Sequence, residues 1–335
     1  MPKYVIHVGP PKTGSKYIQS SLAALSDQLR NVGVYYPTDL FSPKPQIWHA
    51  PLDVRLRAGA DPALRTIFNE LNSSNFDAIV FSFEGFYALT EEQLEYWRAL
   101  MGKSDVEFVY YTRRWSDRIP SLWKQNVKEG FYETFPEMYI RALSNLSTAP
   151  DLNNRLVWDK FARIFGRESL KLVSFDNLVE KNVDFVEHFL HCFLGVKLPA
   201  IAESLAGGDI IMNHSPDTVD TEILRALNAI HFRRRGETSD AVRVRYLRST
   251  QLPGMDLLAA AVEPDIGQIL INDNAPIFKL VHEQLNEYKD CIVSQEYGRQ
   301  FFTPKASQFG FVRQNYLLDP QVPTTLDKLY DQVMG

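Results

Sequence analysis

The sequence predicts an α/β fold in three layers, a central parallel sheet flanked by helices, followed by a mainly helical C-terminal extension. Three observations lead there. Apolar, strand-like runs alternate with amphipathic helical faces as far as about residue 195, which is the pattern of a parallel sheet covered on both sides. The first run breaks into a glycine-punctuated loop that opens a helix. Polar groups then follow three separate strand ends, at residues 9–16, 84–87 and 113–121. Ligands of open α/β sheets bind at that rim.

The elements read in order as follows. Residues 4–8 form the first strand, and Ile18, Leu22, Leu25, Leu29 and Val32 recur as one helical face that Gly33 stops. Residues 34–36 make a short strand ended by Pro37. Residues 38–62, with Pro43, Pro45, Pro51 and Pro62, show little periodicity and read as a loop excursion of the kind that carries binding groups. Residues 77–83 (DAIVFSF) are a buried-type strand, and Thr90 with Gln93 is a capping box for a helix over 91–101. A strand over 106–112 (VEFVYYT) leads to a helix near Ser116, and Thr134, Pro136 and Glu137 begin another. Leu156, Val157, Phe161, Ile164 and Phe165 form an apolar face closed by Gly166. A strand over 170–175 and a helix from about Asp184 to Gly195 follow. Beyond residue 200 the pattern loosens into a loop at Asn213-His214-Ser215-Pro216, a helix to about Phe232, and a basic stretch, Arg233-Arg234-Arg235. The division expected is an α/β core over 1–200 and a mainly helical region over 201–335 that completes the site.

Composition narrows the function classes. At 335 residues the chain exceeds the ~250–300 at which a single core stops growing. A net charge of −5 argues against general nucleic-acid binding. No run reaches the ~20 apolar residues of a membrane span, and the first apolar run leads straight into the loop instead of behaving as a signal peptide. Cys192 and Cys291 lack metal spacing and suggest a reducing compartment, so a cytoplasmic protein is expected. Cys192, in an apolar run, reads as a buried thiol.

The loop Gly9-Pro10-Pro11-Lys12-Thr13-Gly14-Ser15-Lys16 is built to hold a phosphate, with N–H groups, a helix dipole and an ammonium converging on one point. It has the Gly-to-Gly separation of a triphosphate P-loop, yet the following pair is Ser15-Lys16 where Lys-Ser or Lys-Thr would bind the phosphate and magnesium. The candidate phosphate lysine is Lys12, inside the loop. Downstream, Arg113 closes a strand and Ser121 follows eight residues later, placing a planar fork and a helix-borne hydroxyl within reach of one anion.

Pro-Lys-Thr-Gly-Ser followed by this Arg113–Ser121 pair resembles the sulfotransferases that use 3′-phosphoadenosine 5′-phosphosulfate (PAPS), near their bacterial and heparan-type branches. The likeness covers roughly residues 3–230. It implies a P-loop-like fold that moves a sulfuryl group from PAPS to a hydroxyl or amine of a small-molecule or carbohydrate acceptor, releasing PAP without a metal. Pro11, Lys12, Thr13, Gly14, Ser15 and Lys16 would hold the 5′-phosphosulfate, and Arg113 and Ser121 the 3′-phosphate. Arg114-Trp115 stands where the family often has Asn-Pro or Arg-Pro, which keeps Arg114 as a rival to Arg113.

Lys12 is the natural cation at the bridging oxygen. Glu84, just past a buried strand, is the expected base, as in heparan-type members; its alternative is a structural carboxylate pairing with Lys12 or Arg113. His49 is the rival base, because cytosolic members use histidine, and His7 reads as a core residue. Trp123, Gln125 and Lys128 could face the acceptor, Asn213 and Ser215 match a family Asn-x-Ser loop, and Arg235-Gly236 is a candidate third 3′-phosphate segment against a solvated basic face. Two other functions stay open: a P-loop kinase of a small alcohol, and a non-catalytic PAP-binding protein.

Overall fold

The computed structural model describes residues 1–42, 44–197, 216–248, 252–293 and 300–335. Its elements run β1 (Lys3–His7), α1 (Ser15–Ala24), α2 (Ser26–Asn31), β2 (Val34–Tyr35), α3 (Ala50–Ala58), α4 (Pro62–Asn72), β3 (Ala78–Ser82), α5 (Glu91–Met101) and β4 (Val106–Thr112). Then come α6 (Trp115–Lys128), α7 (Phe135–Ser144), α8 (Asn154–Phe165), β5 (Leu170–Ser174), α9 (Phe175–Glu180) and α10 (Phe185–Leu194). The rest comprises α11 (Thr218–Arg235), α12 (Ala241–Arg248), α13 (Met255–Val262), β6 (Ile266–Asn272), α14 (Pro276–Leu285), β7 (Ala306–Val312) and α15 (Gln321–Met334).

The chain divides into two compact units. The first comprises Met1–Arg114, Ser147–Ile211 and Phe278–Thr303; the second comprises Trp115–Leu146, Met212–Ile277 and Pro304–Gly335. The chain therefore passes from one unit to the other several times, and no single cut near residue 200 separates them.

The first unit is an α/β/α sandwich. Its five strands lie in the order β2-β3-β1-β4-β5, all parallel, so β1 is central with β3 and β4 beside it. Because side chains alternate across a strand, each strand feeds two cores. Val5, Val80, Val109, Tyr111 and Val173 face Ile18, Leu22, Leu25 and Leu29 of α1 and its continuation, and Val186, Phe189 and Leu190 of α10. On the other side, Tyr4 meets Phe68 of α4, Phe81 and Phe108 meet Trp97 of α5, and Tyr110 meets Trp158 of α8. Each such fully buried large side chain contributes about 1.5–3 kcal/mol of burial free energy.

Local signals set the helix starts. Thr90–Gln93 and Thr134–Glu137 are both reciprocal capping boxes, as the sequence predicts. Asp184 caps α10, and Gly195 ends it in the left-handed region.

Four features depart from the expectation. The first helical face is split at Leu25, and Val32 lies past its last turn and is exposed. The excursion over 38–62 is half scaffold: Pro51 suits the first turn of α3, and Leu52 and Leu56, one turn apart, are fully buried. Two apolar anchors are too few to show a period. α4, capped by Asp61, follows directly. The region beyond residue 200 also holds strands, since β6 and β7 pair antiparallel from Ile266↔Val312 to Asn272↔Ala306. Cys192, expected buried, is half-buried, and Cys291 is the buried thiol.

In the second unit, buried Asp273 accepts hydrogen bonds from the Ser116 backbone N–H (2.9 Å), the Ser116 hydroxyl (2.7 Å) and the Lys305 N–H (3.0 Å). It thereby anchors the first turn of α6. Among the described residues, no helix is long and apolar enough to cross a membrane.

Candidate active site

The carboxyl end of β1 is where the site begins. His7, the last residue of β1, lies opposite Ser82 of β3 and Val109 of β4, so the segments after these three strands emerge side by side. Gly9 is placed where a Cβ would come within 3.2 Å of His7 Nε2 and 3.3 Å of the Tyr111 nitrogen, which leaves little room for a side chain. Lys12 has a left-handed backbone (φ 73°), costly for a residue with a Cβ, and Gly14 (φ 78°) adopts the same region as the residue that opens α1. Such strain is held at ligand clamps when the surroundings fix it. Here the Arg113 guanidinium donates to the Lys12 carbonyl at 2.6 Å, and the Thr13 hydroxyl donates to the Pro10 carbonyl at 2.7 Å.

α1 starts without a side-chain cap. Tyr17 makes the first helical bond, to the Gly14 carbonyl, so the N–H groups of Ser15 and Lys16 precede the ladder. The Ser15 hydroxyl is buried with no hydrogen-bond partner. Buried polar atoms are paired as a rule, and an unpaired hydroxyl beside uncapped N–H groups is an arrangement that suits an anion. Lys16 is exposed, Pro11 and Lys12 are half-buried, and Thr13 is buried with its proton already committed.

The two arginines after β4 separate cleanly. Arg113 is half-buried at the loop, its guanidinium also lying 5.0 Å over the Phe175 ring. Arg114 is buried and spent on structure: Asp176 at 3.2 Å, Glu180 at 2.7 Å and the Thr303 carbonyl at 3.2 Å. Its own backbone N–H also binds Asp176 (2.7 Å).

Glu84 opens a 3₁₀ turn (Glu84–Ala88) two residues past β3, and its Oε2 accepts from Gln19 Nε2 at 3.2 Å. That turn is held from outside. Arg57 donates to the Gly85 carbonyl (3.0 Å), and Lys160 to the carbonyls of Tyr87 (2.8 Å) and Leu89 (2.5 Å).

His49 is placed differently from the expectation of a base. It is buried among the rings of Tyr36, Phe41 and Phe81. Its Nδ1 accepts from the Ser82 N–H (2.9 Å), and Nε2 then donates to the Pro37 carbonyl (2.8 Å). Its backbone N–H also binds the Ser82 carbonyl (3.0 Å). His49 thus extends the sheet edge beyond β2, and neither ring nitrogen is left to take a proton from an acceptor. Burial pushes its pKa down to about 4. His7 is a core residue as expected, bonded through Nδ1 to the Ser82 hydroxyl (2.8 Å) and pushed by burial down to about 3.

Lys12, Ser15, Glu84 and Arg113 therefore belong to one rim of the first unit. Ser121 is half-buried on α6 in the second unit. In that unit, Trp123 is core and donates to the Glu133 carbonyl (2.9 Å), while Gln125 binds Glu129 (2.7 Å). Gly236 simply ends α11, next to exposed Arg235. Asn213 and Ser215 lie outside the described residues.

Sequence reasoning missed Gln19, Arg57 and Lys160. Only Gln19 left a trace, since it stands one turn beyond Ser15 on the face otherwise taken by core residues.

No family model and no curated protein matches the chain. Among solved structures it is similar to a sulfotransferase from Alicyclobacillus acidocaldarius, with 17% identity over 76% of this chain and 99% of that one, at a TM-score of 0.38.

Proposed function

We propose that this protein transfers a sulfuryl group from PAPS to a hydroxyl or amine of a small-molecule or carbohydrate acceptor. The observation that carries the reading is the mouth of α1: a buried, partnerless Ser15 hydroxyl and uncapped N–H groups, beside a loop lysine and an arginine gripping the loop. A 5′-phosphosulfate suits that position by charge and by hydrogen bonding. A triphosphate with magnesium suits it less, because Lys16 stands where its metal-binding hydroxyl would be.

In this reading Glu84 takes the proton of the acceptor O–H as that oxygen bonds to sulfur. The bond from sulfur to the 5′-phosphate oxygen breaks in line, and PAP leaves with the negative charge. Lys12 and the N-terminus of α1 steady that charge, an effect of about 3 kcal/mol per donor in comparable sites. Arg113 receives the 3′-phosphate.

Titration with PAP and with ATP, each with and without magnesium, tests the proposal. It requires PAP to bind tightly and independently of magnesium. Preference for Mg-ATP would point instead to phosphoryl transfer to a small alcohol, and PAP binding without any transfer from PAPS would leave a non-catalytic binding protein.

A further inference from the structure

Gln19 lies one turn beyond Ser15 on α1, so the two side chains share a helix face. It is fully buried, between core residues Ile18 and Leu22. An amide is costly to bury unless both of its ends are bonded, so packing alone gives no reason for it; an apolar side chain of that size would serve the core better. One end is bonded, Nε2 to Glu84 Oε2, and the other, Oε1, is buried without a partner. The backbone under Glu84 is already fixed by Arg57 and Lys160. What remains free in Glu84 is side-chain torsion, and Gln19 restrains it.

We propose that Gln19 is a positioning residue that ties the Glu84 carboxylate to the anion-binding helix. With Oε2 held, Oε1 of Glu84 is the oxygen that faces the acceptor's proton. Because Gln19 and Ser15 share one rigid turn, the base and the departing phosphate keep a fixed relation, which in-line transfer needs. The inference rests on the reading of Glu84 as the base.

Gln19→Met keeps volume and burial and removes the amide. Crystals of the variant should show Glu84 in more than one side-chain conformation, against one in the parent. With PAPS and an acceptor, kcat should fall roughly tenfold to a hundredfold, while KM for PAPS and the affinity for PAP stay unchanged. In a Glu84→Gln background the same substitution should add no further loss. An unmoved Glu84 in the variant crystals overturns the inference. So does a loss of PAP affinity as large as the loss of kcat, or an undiminished penalty in the Glu84→Gln background. Should Gln19→Met fail to fold, Gln19→Leu, a second apolar side chain of similar size, removes the amide and is read in the same way. If the parent shows no transfer at all, the sulfotransferase reading falls, and the conformer comparison decides the inference by itself.

Discussion

Replacing Arg113 and Arg114 separately by alanine sets two adjacent, chemically identical side chains against each other. Arg114 is buried, and its partner Asp176 is buried too, so its loss strands a carboxylate that keeps the backbone N–H of residue 114. Breaking a buried pair costs about 3–5 kcal/mol. The Glu180 arm adds only about 0–1 kcal/mol, because that carboxylate is 47% exposed. The lower end, about 3 kcal/mol, is the better figure given the surviving N–H, and at about 2 °C per kcal/mol it lowers Tm by roughly 6 °C. Arg113 loses one hydrogen bond to Lys12, about 1 kcal/mol of stability. Its proposed phosphate contact is charge-assisted, about 1.5–3 kcal/mol, so PAP affinity should fall roughly 10- to 150-fold. Thermal melts and calorimetric titration of both variants read the two effects. The reasoning is refuted if Arg114→Ala weakens PAP as much as Arg113→Ala does while leaving Tm in place.

Further outcomes follow from the same geometry. Ser15→Ala removes a buried hydroxyl that has no partner, so Tm should hold or rise while PAP affinity drops about three- to tenfold; a lowered Tm would mean the hydroxyl is satisfied in the free protein. His7 and His49 are held neutral, with pKa values of about 3 and 4 against about 6.5 in the unfolded chain. The unfolded chain therefore binds more protons below pH 6.5, and stability present above that pH is lost as pH falls toward 4. The loss is on the order of 2 kcal/mol per histidine by pH 5, visible as a falling Tm between pH 7 and 5. The fall should be smaller in His49→Leu, and a flat Tm across that range would contradict the burial of both rings. Lys160→Met frees the carbonyls of Tyr87 and Leu89, and should lower turnover more than PAP affinity; an equal loss of both would place Lys160 in nucleotide binding.

The sheet was legible because its strands are written as continuous apolar runs. Residues 77–83 and 106–112 contain β3 and β4, and the Thr90–Gln93 box located the start of α5. α3 was not legible, since Leu52 and Leu56 are its only buried apolar residues and they stand among prolines. The β6–β7 pair joins residues more than thirty apart in sequence, and exposed positions of β6 are occupied by apolar Ile266 and Leu270, so its residue types show no period of two. Within the site, the loop and Arg113 stood out by residue type and spacing. The choice between Arg113 and Arg114 needed Asp176, which is sixty-two residues from Arg114, and the fate of His49 needed Ser82 and Pro37. Contacts of that range leave no local pattern.

The most direct test of the central claim is a crystal structure with PAP bound. The 5′-phosphate should sit at the N-terminus of α1 against the Ser15 hydroxyl and Lys12, the 3′-phosphate on Arg113, and the Glu84 carboxylate on the side from which an acceptor would approach the 5′-phosphate. A nucleotide that binds elsewhere, or one whose 3′-phosphate lies away from Arg113, would contradict the account.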